Sequence, residues 1–156
     1  MAADVEFGPV TPKVLADLLS GLRPIDRIEL DCMAGGDPVT KLHRSIERAR
    51  RSCAVYIGGE LAAVVAINSR TLSSPTGCPW ALTTRVIDKP GARRAFIEGS
   101  APVLGWLARD FSSLWNLVAA ENRTAIRWLK WLGFSFPDRD ELVICGHRFR
   151  YFERAN

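Results

Sequence analysis

Long apolar runs, paired cysteines and lysine are what this sequence has least of. No window of about 18 apolar residues occurs, so no membrane-crossing helix is expected. The first residues, Met1-Ala2-Ala3-Asp4-Val5-Glu6, are acidic and carry no apolar stretch, so no secretory signal peptide is expected. The four cysteines (Cys32, Cys53, Cys78, Cys145) form no C-x-x-C pair. A disulfide framework or zinc knuckle is therefore not expected, and reduced thiols in a cytosolic setting are the default. His43 with Cys53 has no metal-ligand spacing, and no metal site is expected. No repeat, low-complexity segment or linker interrupts the chain. A single domain over 1–156 follows.

What is present is a core-forming composition with an arginine bias. Hydrophobic residues make up 47% of the 156, and charged residues 24%. That apolar fraction excludes a disordered tail. The net charge is +4 from 21 Lys and Arg, only four of them lysine (Lys13, Lys41, Lys89, Lys130). The cations cluster around Arg44–Arg51, Arg85–Arg94, Arg123–Lys130 and His147–Arg154. Clustered arginine binds phosphates or an acidic protein surface, and equally forms a solvated face. A charge of +4 is modest for a dedicated nucleic-acid binder.

Val5–Val10 alternates weakly and reads as a first strand. Thr11-Pro12 is an N-cap followed by a first-turn proline. Val14, Leu15, Leu18, Leu19 and Leu22 continue at helical spacing. Ile25–Met33 reads as a second short helical piece, and Val39–Arg51 as an amphipathic helix. Cys53–Ile57 and Glu60–Ile67 flank Gly58-Gly59, a two-residue hairpin signal. Trp80–Ile87 reads as a strand, and a helix bent by Pro102 and Gly105 reaches about Asp110. Leu114–Ala120 is a strand, Asn122–Leu132 a helix, and Ser135-Phe136 with Leu142–Phe152 supply the last strands. The order β-α-α-β-β-β-α-β-α-β-β predicts a mixed α/β sheet covered on both faces.

One segment carries more than its parts. In Val118–Phe134 a strand ends, Asn122 opens a helix with an apolar stripe at Ala125, Trp128, Leu129 and Leu132, and Gly133-Phe134 turns into another strand. Each piece also has a structural explanation as cap, core and left-handed turn. Together they resemble the N-x-x-A-x-x-x-x-x-x-x-G-F signature of the GNAT (Gcn5-related N-acetyltransferase) superfamily. The likeness is specific over Leu114–Phe134 and topological from Val5 to Tyr151. It implies a GNAT-like, mostly antiparallel sheet whose two central parallel strands, Trp80–Ile87 and Leu114–Ala120, splay apart to admit acetyl-CoA. Its pyrophosphate would lie on backbone N–H groups at a helix start.

The sequence departs from that pattern in three places. Asp88-Lys89-Pro90-Gly91-Ala92-Arg93-Arg94 stands where the family has R/Q-x-x-G-x-G/A. Leu129 stands where family enzymes often have a tyrosine acid. The strand Trp80–Ile87 has no acid, which leaves Glu98 and Glu121 as the nearest bases; each reads equally as a helix-surface or helix-start charge. If acetyl-CoA binds, the resemblance implies Arg85, Ile87, Lys89, Arg93, Arg94 and Asn122 as its contacts. Leu114–Val118, Asn122, Ile126–Lys130 and Gly133 are also similar to a GNAT-like virion or internal-core family of short-tailed phages. That likeness implies a non-catalytic assembly component of host cytoplasm or virion, with virion proteins, a second copy or nucleic acid as partner. An acetyltransferase with an atypical loop is the alternative.

Two further features bear on chemistry and contact. Cys145 and His147 share a strand face at i, i+2, which reads as a core cysteine and a surface histidine rather than a nucleophile pair. Trp106, Trp115 and Trp128 are core by periodicity, whereas Trp131 falls off the stripe beside Lys130 and suits a protein contact.

Overall fold

The computed structural model describes residues 3–156, so Met1 and Ala2 of the acidic start lie outside it. The chain forms β1 (Val5–Gly8), α1 (Pro12–Gly21), α2 (Pro24–Ala34), α3 (Pro38–Glu47), β2 (Arg51–Ile57), β3 (Glu60–Asn68), β4 (Thr76–Thr83), α4 (Ala92–Ala108), β5 (Ser113–Ala119), α5 (Arg123–Trp131), β6 (Leu142–Ile144) and β7 (His147–Ala155). Seven strands make one sheet in the order β1-β2-β3-β4-β5-β7-β6. Every neighbouring pair is antiparallel except β4 with β5.

Local chemistry sets the first helices. The Thr11 hydroxyl accepts the Val14 N–H at 3.2 Å, and Pro12 occupies the first turn of α1. Pro24 opens α2, and Gly35 at φ 63° closes it in the left-handed region. The Asp37 carboxylate takes the Val39 N–H at the start of α3. Three full helices thus stand where the sequence pattern suggested two and a short piece.

The sheet separates two apolar layers. Leu15, Leu18, Leu30 and Leu42 of α1–α3 pack on Ala54, Val64 and Leu82. On the other face, Leu104 and Leu107 of α4 with Ile126 and Leu129 of α5 pack on Val55, Val65, Val118 and Phe152. Both faces are covered, as the element order requires.

Four sequence expectations need correction. The fourth strand runs Thr76–Thr83 rather than Trp80–Ile87. Thr84 ends it: its hydroxyl accepts the Val86 N–H at 3.2 Å and donates to the Leu61 carbonyl at 2.7 Å, and Arg85–Asp88 tighten into a 3-10 turn. Trp106 is 41% exposed, because Val103, Leu104, Leu107 and Ala108 occupy the inner stripe of α4. Trp115 and Trp128 are only half-buried, the first stacked on Tyr151 and the second tilted against Phe96. Cys145 is an exposed turn residue at φ 52°, paired with Gly146 in the two-residue β6–β7 hairpin, so it shares no strand face with His147.

Candidate active site

β4 and β5 pair in register only at Thr76↔Ser113 and Gly77↔Leu114. Gly77 permits that junction: a Cβ there would lie 2.7 Å from Ile67 Cδ1 and 2.9 Å from the Phe111 ring. Beyond it the strands part, and side chains satisfy the exposed edges. Asn116 Nδ2 reaches across to the Pro79 carbonyl at 2.8 Å, while its Oδ1 accepts the Leu117 N–H at 2.8 Å. Asp26 of α2 accepts from the Thr83 N–H at 3.0 Å and from its hydroxyl at 2.9 Å. One turn further along α2, Glu29 Oε1 accepts from the Ala119 N–H at 3.1 Å and from Asn122 Nδ2 at 3.0 Å.

Between these braces one backbone position of β4 faces the gap. Thr84 N–H bonds the Ala62 carbonyl, so even-numbered residues of β4 turn toward β3 and odd-numbered ones toward β5. Pro79 and Thr83 use their gap-facing groups on Asn116 and Asp26. Ala81 lies midway on the same edge, so its N–H and C=O point into the opening.

A cavity of about 520 Å³ fills the gap. Its walls include Asp26 and Glu29 from one side of the sheet, Ala81 and Leu117 from the strand edges, and Phe96 and Trp128 from the other side. The opening therefore passes through the sheet. Burial pushes the Glu29 carboxyl up to about 7; the two hydrogen bonds it accepts, which favour the anion, are outweighed. Burial also raises Asp26, 5% exposed, against the Thr83 bonds and the nearby Arg23 guanidinium.

The residues named from sequence divide sharply. Asn122, 7% exposed, lines the cavity, but its amide is committed: Oδ1 caps α5 by accepting the Ala125 N–H, and Nδ2 donates to Glu29. Ile87 lines the same cavity as an apolar wall. Arg93 lies where this cavity meets a second, open hollow of about 560 Å³ at the start of α4, lined also by Lys89, Gly91 and Arg94. Each of those cations already holds a carboxylate: Lys89 with Glu60, Arg93 with Asp88 at 2.7 Å, and Arg94 with Glu98 at 2.6 Å. Arg85 is exposed on the 3-10 turn and lines neither hollow. Glu98 faces outward on α4, and Glu121 pairs with His147 at 2.7 Å, so neither base candidate reaches the gap.

Asp26 and Glu29 are the acids at the gap that sequence reasoning missed. The available signal was their i, i+3 spacing beside Leu30, on the side of α2 opposite the Arg27–Asp31 pair. Among the described residues no cluster of three or more His, Cys, Asp and Glu could hold a metal ion.

Solved structures share this fold. A GNAT-family acetyltransferase from Streptococcus pneumoniae superposes with a TM-score of 0.64 at 14% identity, covering 98% of this chain and 100% of that one. The spermidine N-acetyltransferase of Vibrio cholerae, solved with CoA and spermine, gives 0.65 at 14% identity over 97% and 95% of the two chains. The N-acetyltransferase PseH of Campylobacter jejuni gives 0.59 at 13% identity over 97% and 98%. This chain has the GNAT acetyltransferase fold. No protein-family model and no curated protein matches its sequence. Within the GNAT fold, the departures read from sequence have visible consequences. Leu129 is a buried wall of the cavity that cannot give a proton. Gly91 serves at φ 80° as the cap of α4, and Pro90 before it has no N–H. No helix among the described residues is long and apolar enough to cross a membrane.

Proposed function

We propose that the chain is an N-acyltransferase of the acetyltransferase type, moving an acyl group from a CoA thioester to an amine. Glu29 carries the reading: a carboxyl held near neutrality at a passage through the sheet, between strand edges that can receive an extended thioester arm. The thioester supplies the acyl carbonyl and a thiolate leaving group. It fits the residues present: the Ala81 edge can pair with amides of the arm. Lys89, Arg93 and Arg94 stand beside the start of α4, where the Ala92 N–H donates to the Lys89 carbonyl and the next first-turn N–H groups lack intrahelical partners. These cations replace the glycine cradle with charge, once they exchange their carboxylates for phosphate.

An amine enters from the α2 side as an ammonium ion and yields a proton to the Glu29 carboxylate. The neutral nitrogen attacks the thioester carbon, the C–N bond forms, and the C–S bond breaks. The Ala81 N–H is placed to stabilise the carbonyl oxygen as charge develops on it. The leaving thiolate has the pKa of an ordinary thiol, about 8.5, and takes up through water the second proton that the acylated nitrogen sheds, while Glu29 returns the first to solvent.

The test is amide formation from acetyl-CoA and an amine panel, with calorimetric titration of acetyl-CoA alongside. Glu29→Gln keeps both accepted hydrogen bonds and should lose about 10²–10⁴ in rate. No amide from any CoA thioester, with no binding at millimolar ligand, would sink the proposal. A non-catalytic assembly role, which the phage likeness implies, draws its support from α5. Arg123, Arg127 and Lys130 carry no ion pair among the described residues, and the neighbouring Trp131 is 58% exposed. Copurification with capsid or core particles tests that role.

A further inference from the structure

The cavity does not stop where an acetyl group would end. From the gap it continues under α4, along Phe96, Gly99, Val103 and Leu107, with Val65 of the sheet and Leu132 of α5 opposite. Phe96 to Leu107 is 11 helical steps, roughly 16 Å of length. The polar groups of the site (Asp26, Glu29, Asn116, Asn122) gather at the strand gap, and the wall along α4 beyond Ser100 is apolar. Gly99 lies in the middle of this wall. A Cβ built there meets nothing within 4 Å, so neither packing nor backbone angle demands glycine at this helical position. An interior helical glycine costs about 0.5–1 kcal/mol relative to alanine, and here its effect is an unobstructed channel.

We propose that the donor is a thioester of a longer acyl chain, whose hydrocarbon tail runs from the strand gap into the channel under α4. This rests on the acyltransferase reading and adds the substrate class. The channel is continuous with the gap, so from a carbonyl held at Ala81 the apolar wall along α4 is the direction that suits a hydrocarbon chain. Removing each methylene from water should tighten binding about fourfold while room remains.

The experiment is a series of straight-chain acyl-CoA thioesters, from two carbons to twelve, with one amine acceptor and the full chain. The expected result is a kcat/KM rising about fourfold per added methylene, then levelling or falling at a definite length. Gly99→Leu and Gly99→Trp, checked for folding by circular dichroism, should move that optimum to shorter chains. A rate highest with acetyl and falling with length would overturn the inference and leave the acyltransferase reading intact. An optimum that stays put in well-folded Gly99 variants would overturn the channel as the chain's location. If no thioester of any length is consumed, the acyltransferase reading itself fails, and this inference with it.

Discussion

Glu29 gives the sharpest prediction, because its burial acts on stability as well as chemistry. Its carboxyl stands at about 7 in the folded chain against an ordinary 4.5. The folded state therefore binds more protons than the unfolded state between those values. Stability must fall as pH rises from about 4.5 through about 7, and stay reduced above it. A shift of that size corresponds to about 3 kcal/mol, a large share of the roughly 5–15 kcal/mol that holds a domain of this size folded. Glu29→Gln keeps an acceptor for the Ala119 N–H and the Asn122 amide but cannot ionise. Urea unfolding of both proteins at about pH 5, 7 and 9 should show curves that diverge as pH rises. The variant should gain about 3 kcal/mol on the native chain across the range. Asp26 is shifted in the same direction in both proteins, and its own burial cancels in the difference; only its smaller charge coupling to Glu29 does not. Parallel curves would refute the claim that burial, rather than the hydrogen bonds, dominates at Glu29.

Other outcomes follow from the same geometry. The kcat/KM for amine acylation should rise with pH through about 7 as Glu29 loses its proton, and Glu29→Gln should remove that limb of the profile. Gly77→Ala should cost about 1–3 kcal/mol in denaturant unfolding, since its Cβ would press on Ile67 and Phe111. Asn116→Ala removes the strap across the gap; a loss of about 0.5–1.5 kcal/mol and faster hydrogen exchange at Leu117 are expected. Replacing Lys89 and Arg93 together by alanine should weaken acetyl-CoA binding and flatten its dependence on salt in calorimetry.

Features set by neighbouring residues were readable from sequence, and features set by contact across the fold were not. Thr11-Pro12, Gly58-Gly59 and the Asn122 cap act within a few residues, and each appears where the pattern puts it. The mixed sheet with helices on both faces followed from element order alone. The end of β4 did not, because Thr84 stops the strand by bonding Leu61 on a neighbouring strand. Trp106 misled because α4 is apolar on more sides than it buries. Asp26 and Glu29 stand beside Arg27 and Asp31 in a segment whose sequence marks only a short helical piece. Only the packing of α2 over two parted strand edges turns them into buried acids. Glu98 and Glu121, closer in sequence to the motif, find exposed partners instead.

The most direct test is acyl transfer itself, followed by mass spectrometry of the amide product, in the native chain and in Glu29→Gln. The predicted result is amide formed from a CoA thioester by the native chain, a rate about 10²–10⁴ lower in the variant, and unchanged thioester affinity in both. Equal rates in the two proteins, or no amide from any thioester, would contradict the account.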